Sequence, residues 1–185
     1  MNNKINVYWV THTAVFIALL IVMQMVTAPL GNTLVTGSIV NLLLIISVMV
    51  SGYPSGLAVA VISPALAKFF GIGPLWGLIP FIVLGNITLV SIWYFIAGKA
   101  NGFKIRNYTF TLVVAAVAKF LVLYIGIVRI ALPFILNLPE QQSAVISGMF
   151  SIPQLFTALV GGATATAALP LLKNALSKSK KGQAV

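Results

Sequence analysis

Apolar runs long enough to cross a lipid bilayer follow one another along almost the whole chain. A helix needs about 20 apolar residues to cross the hydrocarbon core. Only 6% of the 185 residues are charged, whereas soluble domains carry roughly 25%. Because so little polar surface cannot keep a chain in water, we predict an all-α integral membrane protein. Six transmembrane spans fit the sequence, at residues 8–27, 35–50, 56–70, 75–96, 109–136 and 144–172.

The basic residues predict how these spans are oriented. With six spans both chain termini lie on one side, and eight of the 11 basic residues fall on that side. Cytoplasmic loops carry an excess of Lys and Arg, so we expect both termini to be cytoplasmic in a multi-pass protein of a prokaryotic plasma membrane. Residues 1–185 then form one six-helix domain, in which 173–185 make a basic cytoplasmic tail. The eight residues are Lys4, Lys99, Lys104, Arg106, Lys173, Lys178, Lys180 and Lys181.

The residue types that most enzymes use are almost missing. The chain has one acidic residue, one histidine and no cysteine. General acid–base catalysis, nucleophilic catalysis and metal catalysis need paired carboxylates, a triad or a ligand cluster. There is also no phosphate-binding Gly-x4-Gly-Lys-[Ser/Thr] loop. We therefore expect no enzyme activity, cofactor or metal, and any energy for transport must come from another protein.

The stretch around residues 63–86 has the composition of a pocket wall. A Gly71-Ile-Gly-Pro74 turn reverses the chain, and Lys68, Trp76 and Asn86 lie on either side of it. Prolines in a membrane helix free backbone groups, which neighbouring helices or a water-filled cavity must satisfy. We expect these three residues to face a pocket on the outer side of the membrane. An ordinary helical hairpin with Trp and Lys at the interface is the alternative.

Two cations lie within the fifth span. A charge at the centre of the membrane costs about 2.5–3.5 kcal/mol unless it finds a partner, a cavity or the interface. We expect Arg129 to reach an outward cavity near Tyr124, and Lys119 to extend its stem toward the cytoplasmic surface. The chain offers neither of them an acid within the membrane. Compensation must come from carbonyl groups, water, a partner subunit or an anionic ligand.

Several small polar or apolar residues permit two interpretations each. The first outer loop contains Asn32 and Thr33, and it is either a lid over the pocket or a plain connection. Asn41 lies inside the second span, where a buried amide joins helices or contacts a ligand. Ala14 and Ala18 form a small-xxx-small pair in the first span. Such a pair either packs inside the protein or accepts a helix of a partner.

The size, six spans, orientation and Ala14-x3-Ala18 pair together resemble the substrate-binding S components of energy-coupling factor (ECF) vitamin transporters. The resemblance covers essentially the whole chain. It implies that Ala14 and Ala18 dock on a transmembrane T component and that two ABC ATPases power import. It also implies that the first outer loop closes over a pocket built largely from helices four to six, which makes Asn32 and Thr33 lid residues.

The substrate is predicted from the cations. Arg can hold a carboxylate or phosphate through two hydrogen bonds, and Lys adds a point charge. We expect a water-soluble vitamin or related micronutrient, anionic and pantothenate-like, and otherwise cobalamin, riboflavin or a pyrimidine or pyridine vitamin. A non-catalytic membrane scaffold and a small facilitator are the alternative functions. The expected binding residues are Asn32, Thr33, Asn41, Lys68, Trp76, Asn86, Tyr124 and Arg129.

Overall fold

Every regular element in the computed structural model is helical within the residues that it describes, which are 7–73, 75–99 and 104–182. Lys4, Pro74 and residues 183–185 of the predicted tail lie outside them. Two helices continue as π-helix, α4 over Trp93–Gly98 and α5 over Tyr124–Leu136. The seven α-helices are α1 Val7–Thr27, α2 Thr33–Ser51, α3 Tyr53–Phe69, α4 Ile79–Ile92, α5 Ile105–Leu123, α6 Glu140–Met149 and α7 Ile152–Gly182.

Five to six of the helical segments are long and apolar enough to cross a membrane. The helix α3, with 17 residues, is about 25 Å long at 1.5 Å per residue. It is the shortest of the candidate spans, and whether it is included decides between a count of five and a count of six. The fold class predicted from the sequence is thus confirmed in part, as an all-helical architecture of the described residues with helices long and apolar enough to span a membrane. The five longer segments are Trp9–Leu30, Thr33–Ser51, Trp76–Gly98, Ile105–Leu136 and Glu140–Ala175.

The predicted boundaries of spans three and six need correction. The helix α3 begins at Tyr53 rather than at residue 56, because Gly52 alone separates it from α2 with a positive φ of 87°. Glycine takes this conformation without steric cost, and Pro54 suits the first turn of a helix. The predicted span 144–172 starts within α6 and is interrupted at Phe150 and Ser151.

The long helices α1 to α5 and α7 alternate in direction and define two ends of the bundle. We name the loop end after the connections 28–32 and 70–75, which meet α6 there. The terminal end is where α1 begins and α7 ends. A large apolar core fills the half near the terminal end, and a smaller one lies between α6 and the π-helical half of α5 near the loop end.

Two glycines lie where α2 and α7 approach each other closely. A Cβ atom added to Gly161 would lie 2.5 Å from the carbonyl oxygen of Ser38, and one added to Gly37 would lie 2.8 Å from the Thr157 side chain. Small residues let helix backbones come this close in a membrane protein. The contact brings the polar groups of α2 and α7 together at the centre of the bundle.

Candidate functional site

A buried lysine occupies the centre of the bundle. Lys119 on α5 is only 3% exposed, and its Nζ donates hydrogen bonds to Asn41 Oδ1 at 2.6 Å and Asn86 Oδ1 at 2.7 Å. The Nδ2 of Asn41 donates in turn to the Thr157 hydroxyl at 3.2 Å. This polar cluster, formed by Lys119, Asn41, Asn86 and Thr157, connects α5, α2, α4 and α7.

The polar cluster lies midway along three helical segments that are long and apolar enough to cross a membrane. Asn41, Asn86 and Lys119 each fall within two residues of the middle of their apolar segments Thr33–Ser51, Trp76–Gly98 and Ile105–Leu136. Ionisable side chains at the centre of a bilayer are costly, and in membrane proteins they commonly mark substrate or ion sites. In many secondary transporters the substrate site also lies near the bilayer midplane.

The partners of the ammonium group are neutral. Two amide oxygens solvate Lys119, and the only acidic residue of the sequence, Glu140, is exposed at the start of α6. Hydrogen bonds to amide dipoles offset part of the cost of burying a charge, but they supply no opposite charge. The Lys119 amino group therefore has no counterion among the described residues.

A cavity of about 180 Å³ opens beside Lys119; we call it the deep cavity. A wider depression of about 520 Å³ lies toward the loop end; we call it the outer vestibule. The two share four lining residues, Thr36, Ile72, Gly73 and Phe150, so they are adjacent parts of one recess. Besides these four, the deep cavity is lined by polar residues that include Gln24, Asn41, Ser63, Asn86, Lys119 and Gln154.

The recess ends against packed side chains on the side of the terminal end. On α1 to α5, residues one or two turns nearer the terminal end belong to the larger apolar core. Leu44 and Ile45 follow Asn41 on α2, and Leu89 follows Asn86 on α4. Each of these three side chains is almost completely buried. The described residues therefore enclose a pocket that is approached from the loop end.

The structure brings five of the predicted binding residues into this recess. Asn41 and Asn86 line the deep cavity, whereas Asn32, Thr33 and Lys68 line the outer vestibule. Asn32 also caps α2, since its Oδ1 accepts hydrogen bonds from the backbone N–H groups of Leu34 and Val35. Capping alone accounts for an asparagine at the start of this helix, and no ligand contact is needed to explain it. The role of Asn32 as a lid residue therefore stays a prediction.

Three predicted binding residues lie elsewhere. Trp76 is 58% exposed, and the exposed Arg129 places its guanidinium group 5.4 Å from the centre of the Tyr124 ring. None of the three is among the described residues that line the deep cavity or the outer vestibule. The structure thus places Arg129 outside the recess, on the π-helical half of α5, and its role in binding stays a prediction.

The expectation for Lys119 is wrong. We predicted that its stem would extend toward the cytoplasmic surface, but the side chain is buried in the bundle and held by two amides. The amides themselves were visible in the sequence as polar residues within apolar runs. Gln24, Ser63 and Gln154 were not predicted as cavity residues, although Gln24 breaks the first apolar run in the same way.

Ala14 and Ala18 are exposed on the outer surface of α1. This placement excludes the alternative in which the pair packs against another helix of the same chain. The exposed pair can contact either lipid or a helix of a partner protein. Docking on a T component therefore stays a prediction.

Comparisons of the chain with protein-family models, curated proteins and solved structures find no match. The functional argument therefore depends on the polar cluster and the recess.

A double-mutant cycle tests the polar cluster. Asn86→Leu removes one of the two oxygens that solvate the buried ammonium. Removing one partner of a buried charge lowers the free energy of unfolding by about 3–5 kcal/mol. We expect a large loss of thermal stability in detergent for this variant. Adding Lys119→Met removes the charge itself, so the double variant should recover much of that loss. Strictly additive effects of the two substitutions would contradict the proposed contact.

Proposed function

We propose that the chain is the substrate-binding membrane subunit of an ECF-type importer, and that its substrate is a compact, anionic, water-soluble vitamin or related micronutrient. In this proposal both termini are cytoplasmic, the loop end faces outward, and the protein lies in a prokaryotic plasma membrane. The substrate enters the outer vestibule and places its anionic group beside Lys119 in the deep cavity.

The observation that carries this proposal is the uncompensated ammonium group at the wall of the deep cavity. A buried cation whose only partners are neutral amides gains most from a ligand that supplies the missing negative charge. An N–H group of Lys119 can donate a charge-assisted hydrogen bond to a carboxylate or phosphate oxygen, and such bonds are stronger than neutral ones. Lys119 thus takes the role that the sequence suggested for Arg129.

Lys68 also favours a negatively charged substrate. It lines the outer vestibule, which an anion must pass on its way to Lys119. Clefts lined by charges of one sign attract ligands of the opposite sign and raise their rate of association. Two lysines along one recess therefore favour an anionic substrate and disfavour a cationic one.

The cavity volumes favour a small substrate. Sites for drug-sized ligands usually have volumes of 300–1,000 Å³, and the deep cavity has about 180 Å³. It can enclose one end of a pantothenate-sized molecule while the rest occupies the outer vestibule. Riboflavin and above all cobalamin are too large for the deep cavity, so we rank them below a compact acid.

The alternative functions fit less well. A facilitator needs a polar path through the whole membrane, whereas the half of the bundle near the terminal end is filled by apolar side chains. A scaffold has no use for a buried charge beside a cavity, because that charge costs stability. A pocket that is closed on one side suits a subunit that delivers its substrate only when partners act on it.

Matched pairs of charged and neutral compounds test the proposed substrate class. We expect purified protein in detergent to bind pantothenate over pantothenol, or nicotinate over nicotinamide, by roughly 10–100-fold, because a hydrogen bond to a charged group is worth about 1.5–3 kcal/mol. Isothermal titration calorimetry measures both members of each pair. Lys119→Met should remove the preference, whereas Arg129→Gln, a change of equal charge outside the recess, should retain it. Equal affinity for the neutral member, or a preference that survives Lys119→Met, would contradict the proposal.

Tryptophan substitutions test the proposed partners, a T component with two ABC ATPases. Ala14→Trp with Ala18→Trp should abolish copurification with the ATPase module and substrate uptake by cells, because bulky side chains prevent close helix approach. Substrate binding by the isolated subunit should remain. The matched control is Ala163→Trp with Ala167→Trp, an exposed pair of the same spacing on α7. Similar losses in both double variants would argue against a specific docking surface on α1.

A further inference from the structure

Gln24 on α1 presents a hydrogen-bond acceptor that the protein does not use. Its Oε1 atom is buried and has no hydrogen-bond partner among the described residues. The same residue lines the deep cavity. A buried polar atom without a partner destabilises a folded protein, and such an atom in a native structure calls for an explanation. A ligand group that donates a hydrogen bond provides one.

Lys119 presents the complementary group to the same cavity. An ammonium group has three N–H donors, and Asn41 and Asn86 accept two of them. Within the described ranges the third has no partner. The wall of the deep cavity therefore includes one residue with an unused donor, Lys119, and one with an unused acceptor, Gln24.

We propose that Gln24 determines specificity by requiring a hydroxyl or N–H group close to the anionic group of the ligand. This inference rests on the proposed function, since it adds a second requirement to the anion bound at Lys119. An anionic oxygen of the ligand accepts a hydrogen bond from Lys119, and a hydroxyl or N–H group of the ligand donates one to Gln24 Oε1. A simple carboxylic acid satisfies Lys119 alone and leaves Gln24 unpaired, which is the kind of mismatch that polar binding sites reject.

The size of the deep cavity limits the part of the ligand that enters it. An apolar cavity of about 150 Å³ holds a benzene molecule, so about 180 Å³ suits a six-membered ring or a branched chain of similar size. The expected ligand class is thus a compact hydroxy-, amino- or amidocarboxylate, or a larger molecule that ends in such a group.

Three pairs of carboxylates, alike except for a donor group, test the proposal by calorimetry on the full-length protein in detergent. They are mandelate and phenylacetate, 1-hydroxycyclopentanecarboxylate and cyclopentanecarboxylate, and 2-hydroxy-3,3-dimethylbutanoate and 3,3-dimethylbutanoate. We expect at least one donor-bearing acid to bind ten-fold or more tightly than its partner. In Gln24→Leu the ratio should fall below three-fold, while Gln141→Leu, a change of the same kind on α6 outside both cavities, should leave it unaltered.

A stability measurement separates this role from a structural one. Gln24→Leu removes an unsatisfied polar atom, so without ligand its melting temperature should equal or exceed that of the native protein. A lower melting temperature would mean that Gln24 has a structural partner and would overturn the proposal. Equal affinities within all pairs, or an unchanged ratio in Gln24→Leu, would also overturn it. The preference for anions over neutral compounds can survive that result, whereas failure of every carboxylate to bind would defeat both proposals.

Discussion

The burial of one ammonium group at the centre of an apolar helix bundle governs the rest of this structure. Lys119 has to be solvated where the membrane supplies no water, and two asparagine side chains do so from neighbouring helices. Their oxygens replace part of the lost hydration but cannot neutralise the charge. In the proposed function Lys119 keeps its positive charge, and an anion that reaches it completes the electrostatic balance. The proposed binding and the observed packing thus involve the same three side chains, Lys119, Asn41 and Asn86.

The helices are packed so that this cluster can form. Glycines on α2 and α7 let those helices approach until Asn41 reaches Thr157, while the apolar core near the terminal end closes the bundle beneath the cluster. Toward the loop end the packing is looser, because the break between α6 and α7 and the connection after α3 leave a recess between them. Phe150 lies at that break and touches both parts of the recess. Tight packing on one side and a recess on the other are compatible with the proposed binding of a substrate from one side.

The sequence predicted the helical class and most helix boundaries, since apolar run length and proline or glycine punctuation are local properties of the chain. It failed where the result depended on rotation about a helix axis. Arg129 and Lys119 lie in one span, yet the π-helical turns between them direct the first outward and the second inward. Run length carries no information on that rotation. The amides were recognised because Asn41 and Asn86 interrupt apolar runs, but their joint contact with Lys119 depends on packing between distant parts of the chain.

The most direct test is to identify the small molecule that remains bound when the protein is purified in mild detergent. Native mass spectrometry of the unmodified protein, followed by release and fragmentation of the ligand, should detect a compact acid that carries a hydroxyl or N–H group. The same preparation of Lys119→Met should lack it, while Arg129→Gln should retain it. A neutral or basic ligand, or an acid held equally well by Lys119→Met, would contradict the claim that the buried ammonium group selects the substrate.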